Sequence, residues 1–270
     1  MNIYLAGCEG GERKYAFLEP YTSQRRLISY FYMQGEANQN LYFNEKYYIM
    51  LDSGAFSAFT QKKKIRIADY IAFLKSQNTV RHYYNLDVIG DEGKTWRNQR
   101  HMEGAGLRPM PVFHAGESFD SLRKCLDNYE YFAIGGVVGM NSVSLCRYLD
   151  RVFRFIGKPV NNKIHALGVT SDLVLRRYPW FSCDSTSWIH CSARGKVMLP
   201  RMKSGRFDFS EINVVHSVKT FKTDKVLLPA LNYIKEQLNF PHLDVMNYSH
   251  RYLINAYYFR QYEKTFNQEN

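Results

Sequence analysis

Asp52, Asp87, His114, Gly135-Gly136, Leu167-Gly168 and Asp184 are the residues whose types and order could support chemistry. Each stands at the end of a different short apolar run, as in Tyr47-Tyr48-Ile49-Met50-Leu51-Asp52-Ser53-Gly54 and Trp180-Phe181-Ser182-Cys183-Asp184. Two carboxylates facing one pocket can divide labour, one ionised as nucleophile and one protonated as acid, because burial and mutual repulsion separate their pKa values. Chemistry at a glycosidic carbon, through an oxocarbenium-like transition state, uses such a pair. Taken singly, these residues have plainer uses. An Asp after a strand is commonly a helix N-cap, a lone His a hydrogen-bonded core residue, and Gly-Gly a tight turn that also lets a ligand approach the backbone. Their convergence at successive strand ends counts for more than any one of them.

The elements that must position them alternate. Apolar runs at Ile3–Gly7, Tyr47–Leu51, His82–Leu86, Met110–Phe113, Tyr131–Ile134, Lys163–Ala166 and Trp180–Cys183 read as buried strands. Helical spacing appears between them: Ile67, Tyr70, Ile71 and Leu74; Trp96 to Met102; Leu122, Cys125 and Leu126; Leu145 to Ile156; and a short helix near Leu173. Arg25 to Met33 is predicted as a helix. Strands recurring every 20 to 35 residues or so, with helices between, are βαβ units and demand a parallel sheet. Seven or eight of them predict a TIM-like (β/α)8 barrel, whose strand ends meet at one mouth. Val197–Leu199 or Val214–His216 is the candidate for the eighth strand. A helix at Leu231, Ile234 and Leu238 and another over Tyr248–Tyr262 form a C-terminal helical region, about 224–270, on a single catalytic domain spanning 1–270.

With 270 residues, 45% of them hydrophobic, the chain can bury the core of one barrel-sized domain. No apolar run reaches the ~20 residues of a membrane span, and the start lacks the pattern of a signal peptide. A protein without membrane partners is expected, in the cytoplasm, or the host's cytoplasm if the protein is viral. The five cysteines form no CxxC pair, which removes disulfide frameworks and zinc ribbons from consideration. A net charge of +11 suits a polyanionic partner or a solvated basic surface equally. The densest basic stretches are Lys62, Lys63, Lys64 and Arg66, and Arg194, Lys196, Arg201, Lys203 and Arg206; both are expected beside the mouth.

At these residues the chain resembles the tRNA-guanine transglycosylase superfamily, and in its short form the DNA 7-deazaguanine transglycosylases of viruses and bacterial DNA-modification clusters. Asp52-Ser53-Gly54-Ala55-Phe56 resembles that family's Asp-Ser-Gly-Gly-Phe/Tyr, and Ala133-Ile134-Gly135-Gly136-Val137-Val138-Gly139 its Ile-Gly-Gly-Leu-Ala-Val-Gly. His165-Ala166-Leu167-Gly168-Val169 resembles its Leu-Met-Gly-Val-Gly turn, and Phe181 to Asp184 the segment with the nucleophilic aspartate. The resemblance implies Asp184 as nucleophile and Asp52 as general acid/base. It also implies a base site in which Asp87 hydrogen-bonds the guanine-like edge, Gly136 and Val137 offer backbone groups, Phe56 and Leu167 sandwich the ring, and Ser53, Gly135 and Gly168 take part. His114 stands where the family has Gln. Tyr248-Ser249-His250-Arg251-Tyr252-Leu253 resembles the segment after the family's zinc cysteines, but Phe240 to Val245 contain none. One histidine cannot build a tetrahedral zinc site, so no structural metal is expected and apolar packing should hold the C-terminal region.

The activity so implied is exchange of guanine in DNA for a free 7-deazaguanine-type base, through a covalent glycosyl-aspartate and without a cofactor. The missing zinc site and the absence of an appended RNA-binding domain favour DNA over tRNA. A DNA-binding barrel without activity is the alternative of another class, and the presence of both aspartates weighs against it.

Overall fold

The computed structural model describes residues 1–10, 25–33, 43, 47–169, 171–211, 215–219 and 227–269. Eight parallel strands form one curled sheet: β1 (Asn2–Ala6), β2 (Arg25–Ser29), β3 (Tyr48–Asp52), β4 (Val80–Tyr83), β5 (Val112–His114), β6 (Tyr131–Gly135), β7 (Lys163–Ala166) and β8 (Ser182–Ser185). Their order is β4-β3-β2-β1-β8-β7-β6-β5, with β1 between the end of the chain's strand series and its beginning. No continuous ladder joins the edge strands β4 and β5. A single parallel bridge, Tyr84 with Met110, spans them, with Met110 N–H donating to Tyr83 O at 2.8 Å and Asn85 N–H to Met110 O at 3.1 Å.

Helices α1 (Ala55–Thr60), α2 (Ile67–Ser76), α3 (Glu92–Gly104), α4 (Phe119–Asn128), α5 (Ser142–Ile156) and α6 (Asp172–Arg177) follow strands, as the alternation required. Beyond β8 come α7 (Ser187–Ala193), α8 (Leu227–Gln237) and α9 (Tyr248–Glu269).

Side chains alternate across each strand, so a sheet covered on both faces sorts its residues into two cores. Ile3, Leu5, Ile28, Ile49, Leu51, Phe113, Phe132, Ile134, Ile164 and Cys183 pack outward with the helices. Tyr4, Ala6, Leu27, Met50, Tyr84, Val112, Tyr131 and Ala133 form a separate inner cluster. Asp52 is two residues beyond Met50 and opposite Ser29, and Asp184 is opposite Tyr4. Both aspartates therefore belong to the inner face.

Several sequence expectations fail here, among them the strand expected at His82–Leu86, since β4 runs Val80–Tyr83. Arg25–Met33 is not a helix but β2 followed by one 3-10 turn at Tyr30–Tyr32. A central strand buried on both faces shows no period-2 alternation. Arg26 is buried, its guanidinium 5.3 Å from the Tyr47 ring. The eighth strand is thus β2. Of the two candidates, Lys196–Met198 forms β9 and pairs antiparallel with β12 (Val215–Ser217) in a separate ribbon; Val214 lies outside the described residues. The strand near Asp184 is also displaced, running Ser182–Ser185, so that Asp184 is its third residue.

The C-terminal helix α9 buries Tyr252, Leu253, Ile254, Tyr258, Phe259 and Tyr262, as apolar packing predicts. Polar anchors supplement it. Arg251 donates to the carbonyls of Ser192, Val245 and Met246, and Glu263 accepts from Ile3 N–H at 2.8 Å and Arg25 at 3.0 Å.

Candidate active site

The predicted strand-end residues lie along one arc. His114 is opposite Gly135 in the β5–β6 ladder, Leu167 N–H donates to Ile134 O, and Gly168 N–H donates to Asp184 Oδ1 at 2.6 Å. At the other side, His114 Nε2 is 3.2 Å from Asp87 Oδ2, and the charges of Asp87 and Asp184 are both felt at Asp52.

Neither aspartate caps a helix. The N-cap of α1 is Gly54 and that of α7 is Thr186, whereas the capping role falls to Asp91, which accepts from Lys94 N–H at 2.8 Å. Asp52 instead accepts from Gly54 N–H at 3.0 Å. Gly54 has φ +78°, and a Cβ there would meet Phe31 Cβ at 2.4 Å and Ser29 Oγ at 2.5 Å, so only glycine allows this turn beneath the carboxylate. Burial, then the neighbouring Asp87 charge, pushes the Asp52 carboxyl up to about 7, against the pull of the Gly54 amide; Asp184 and Glu9 add to the rise.

His114 has both ring nitrogens engaged: Nε2 with Asp87 and Nδ1 with Glu117 Oε1 at 3.1 Å, while its own N–H donates to Glu117 Oε2 at 3.0 Å. Burial opposes its charge, but the two carboxylates outweigh burial and raise it to about 10. Burial likewise raises Asp87, and His114 opposes that rise. With a second carboxylate on its far side, the imidazole is the group that keeps the proton. His114 is thereby a clamp on Asp87 with no ring nitrogen left over for a ligand. Asp87 Oδ1 is a buried atom with no hydrogen-bond partner among the described residues, and the same holds for Asn85 Oδ1 and Ser29 Oγ.

Asp184 is held differently. Its Oδ1 accepts from Gly168 N–H and lies 3.2 Å from His165 Nε2; His165 Nδ1 is 2.6 Å from Ser182 Oγ, which is 2.6 Å from Tyr131 Oη. His165 is wholly buried, with the Tyr4 and Tyr84 rings edge-on at 6.0 and 5.9 Å.

Around these groups, Ser53 is buried and its Oγ accepts from Ala55 N–H at 3.3 Å, a local turn bond. Gly136 is exposed at φ +70°, where a Cβ would strike Ala115 N at 2.9 Å, so the bare backbone is required there. Val137 is buried beside it, Leu167 is half-buried, and Phe56 is 57% exposed on α1.

The basic residues divide. Lys62, Lys63, Lys64 and Arg66 are exposed just after α1, whose six residues span about 9 Å beyond the Asp52 turn. Lys63 Nζ is 5.6 Å from the Phe31 ring, and Arg66 pairs loosely with Asp69 at 3.7 Å. In the second stretch, Arg194 and Lys196 are exposed, but Arg201 and Lys203 in β10 (Arg201–Lys203) pair with Glu211 and Asp208. The hairpin of β10 and β11 (Arg206–Asp208) continues into a segment fastened to α6 and α9 through Arg176 to Ser210 O and Tyr258 Oη to Glu211 O.

Glu9, Glu117 and Tyr131 were not singled out from the sequence, and His165 and Ser182 stood within quoted segments without a role of their own. Three of them had a signal: His165, Ser182 and Tyr131 lie two residues before Leu167, Asp184 and Ala133, on the same face of their strands. Among the described residues no group of three or more His, Cys, Asp and Glu could hold a metal ion, and no helix is long and apolar enough to cross a membrane. Compared with protein-family models and with curated protein sequences, the chain matches none.

Proposed function

We propose that the curled sheet works as a TIM-like (β/α)8 barrel carrying a DNA-guanine transglycosylase site. The observation that carries this reading is the pair of inward carboxylates with unlike surroundings: Asp52, raised to about 7, and Asp184, tethered through one oxygen. Asp184 attacks C1′ of a guanine nucleotide while Asp52 gives its proton to the departing guanine, leaving a glycosyl ester on Asp184. A 7-deazaguanine base then enters, loses a proton to Asp52 and displaces the aspartate. A carboxyl titrating near neutrality suits a group that must give and take one proton per cycle.

Base recognition falls to neighbouring groups. The unpartnered Asp87 Oδ1 is an acceptor for an N–H edge, the exposed Gly136 backbone allows close approach, and Phe56 and Leu167 offer apolar faces to the ring. The target base must leave its stack, at a cost of a few kcal/mol in duplex DNA. Phosphate contacts from Lys62, Lys63 and Lys64 offset part of it.

The protein is incubated with DNA or tRNA and radiolabelled guanine or 7-cyano-7-deazaguanine. Label in DNA is expected. Label in tRNA alone would overturn the choice of polymer, and DNA binding with no label in either would make this a binding protein.

A further inference from the structure

We infer that His165 is a positioning residue which, as a neutral imidazole protonated on Nε2, fixes Oδ2 of Asp184 as the attacking oxygen. The inference rests on the proposed role of Asp184 as nucleophile. It comes from counting hydrogens along a buried chain of four side chains, Tyr131, Ser182, His165 and Asp184.

A carboxylate only accepts, so at 3.2 Å the hydrogen between His165 and Asp184 belongs to Nε2. If Nδ1 is bare, Ser182 donates to it and Tyr131 donates to Ser182; every hydrogen then has an acceptor. If Nδ1 is protonated instead, Ser182 accepts from it, and either the Ser182 or the Tyr131 hydroxyl hydrogen is left without an acceptor in the chain, since the two hydroxyls have only each other's oxygen to share. A buried polar hydrogen without a partner costs about 1–3 kcal/mol, which favours the neutral form.

The chain ends on a single carboxylate oxygen. Oδ1 takes both the Gly168 amide at 2.6 Å and His165 Nε2, whereas Oδ2 takes no hydrogen bond from any described residue. The Asp184 side chain keeps 8% of its surface accessible, and His165 keeps none. Two donors on one oxygen lower its electron density and stop the carboxylate from rotating. The other oxygen is left as the nucleophile, at a set distance from the sugar carbon. Tyr4 and Tyr84 wall the imidazole edge-on, and Tyr84 is itself tied to Met50 Sδ at 2.9 Å, so the ring cannot swing away. Tyr131 therefore acts at three removes from the reacting atoms, by setting which nitrogen of His165 is bare.

Two measurements test this independently. Long-range 1H–15N spectra of the whole 15N-labelled protein, with the His165 signals assigned by loss in His165→Gln, should show the neutral Nε2–H tautomer. In Tyr131→Phe the Nδ1 hydrogen bond should weaken and its 15N signal move. An imidazolium or an Nδ1–H tautomer in the wild type would overturn the inference whether or not the enzyme exchanges bases. In kinetics, His165→Ala should lower kcat by about 10- to 100-fold, the cost of a nucleophile misplaced by about 1 Å, with KM for the free base unchanged. His165→Gln, whose amide can still donate to Oδ1, should recover most of that loss. Equal kcat in wild type and His165→Ala, or a loss confined to KM, would sink the positioning role. Absence of exchange in the wild type would instead remove the proposed reaction, leaving the donor order to be decided by the spectra.

Discussion

The two halves of the strand-end face are built on opposite terms. On the β2–β3–β4 side, Asp52 and Asp87 are half-buried with raised pKa values, and Ser29, Asn85 and Asp87 each keep a buried oxygen without a partner among the described residues. On the β7–β8 side, each side chain from Tyr131 to His165 is hydrogen-bonded in sequence, and two donors meet on one oxygen of Asp184. Unsatisfied buried acceptors are costly and persist where a ligand supplies the missing donors. The first half thus has the properties of a group that exchanges protons and reads a polar edge, the second those of a carboxylate that must hold one orientation.

The sharpest way to break this contrast is to remove the oriented carboxylate. Asp184→Ala should abolish exchange and any covalent protein-DNA adduct, a fall of about 10,000-fold or more, read by label incorporation and by denaturing gel. Asp52→Asn keeps size and removes the proton carrier, so turnover should fall by about 100- to 10,000-fold while an adduct can still be trapped with a substrate whose base leaves unaided. In the wild type, the first half-reaction should decline as pH rises through about 7, where Asp52 loses its proton.

Asp52 also predicts an unusual stability profile. A carboxyl that titrates near 7 when folded and at its ordinary 3.8 when unfolded binds more protons in the folded state between those values. Stability should therefore fall as pH rises from about 4 to about 7, by on the order of a few kcal/mol. Asp52→Asn should flatten that slope in urea denaturation. A slope unchanged in the variant would show that Asp52 is not the group responsible.

His114→Ala sharpens the comparison from the recognition side. It leaves the half-buried Asp87 and Glu117 without their shared cation, which should cost about 1–3 kcal/mol in denaturant unfolding and raise KM for the free base. The smallest effect is expected at the rim. Changing Lys62, Lys63 and Lys64 to Ala should weaken DNA binding about tenfold at moderate salt, and reduce the slope of log K against log salt by up to about 2 to 3, with free-base binding unchanged.

Much of the recognition side was legible in the sequence, because Asp52, His114 and Gly135-Gly136 each stand where an apolar run changes residue type at the strand's end, whereas Asp87 lies four residues beyond β4 rather than at its end. What His114 does was not legible: only in the folded chain do Asp87 and Glu117 converge on its two nitrogens. The supporting chain behind Asp184 stayed hidden because His165 and Ser182 lie within strands, where a buried polar residue reads as a break in a run. β2 was misread as a helix because a strand covered on both faces has no alternation.

By itself the sequence determined the alternation of strands and helices, the parallel sheet that alternation demands, and the strand ends on which acids, glycines and the first basic cluster would fall. These are local properties, set by side-chain periodicity and chain connectivity. Tertiary structure alone decided that β2 completes the sheet between β1 and β3, that both aspartates face inward, that Arg201 and Lys203 pair with Glu211 and Asp208, and which oxygen of Asp184 is tethered. Each of these depends on strand register and on contacts between residues far apart in the chain, where a shift of one residue turns every side chain to the opposite face.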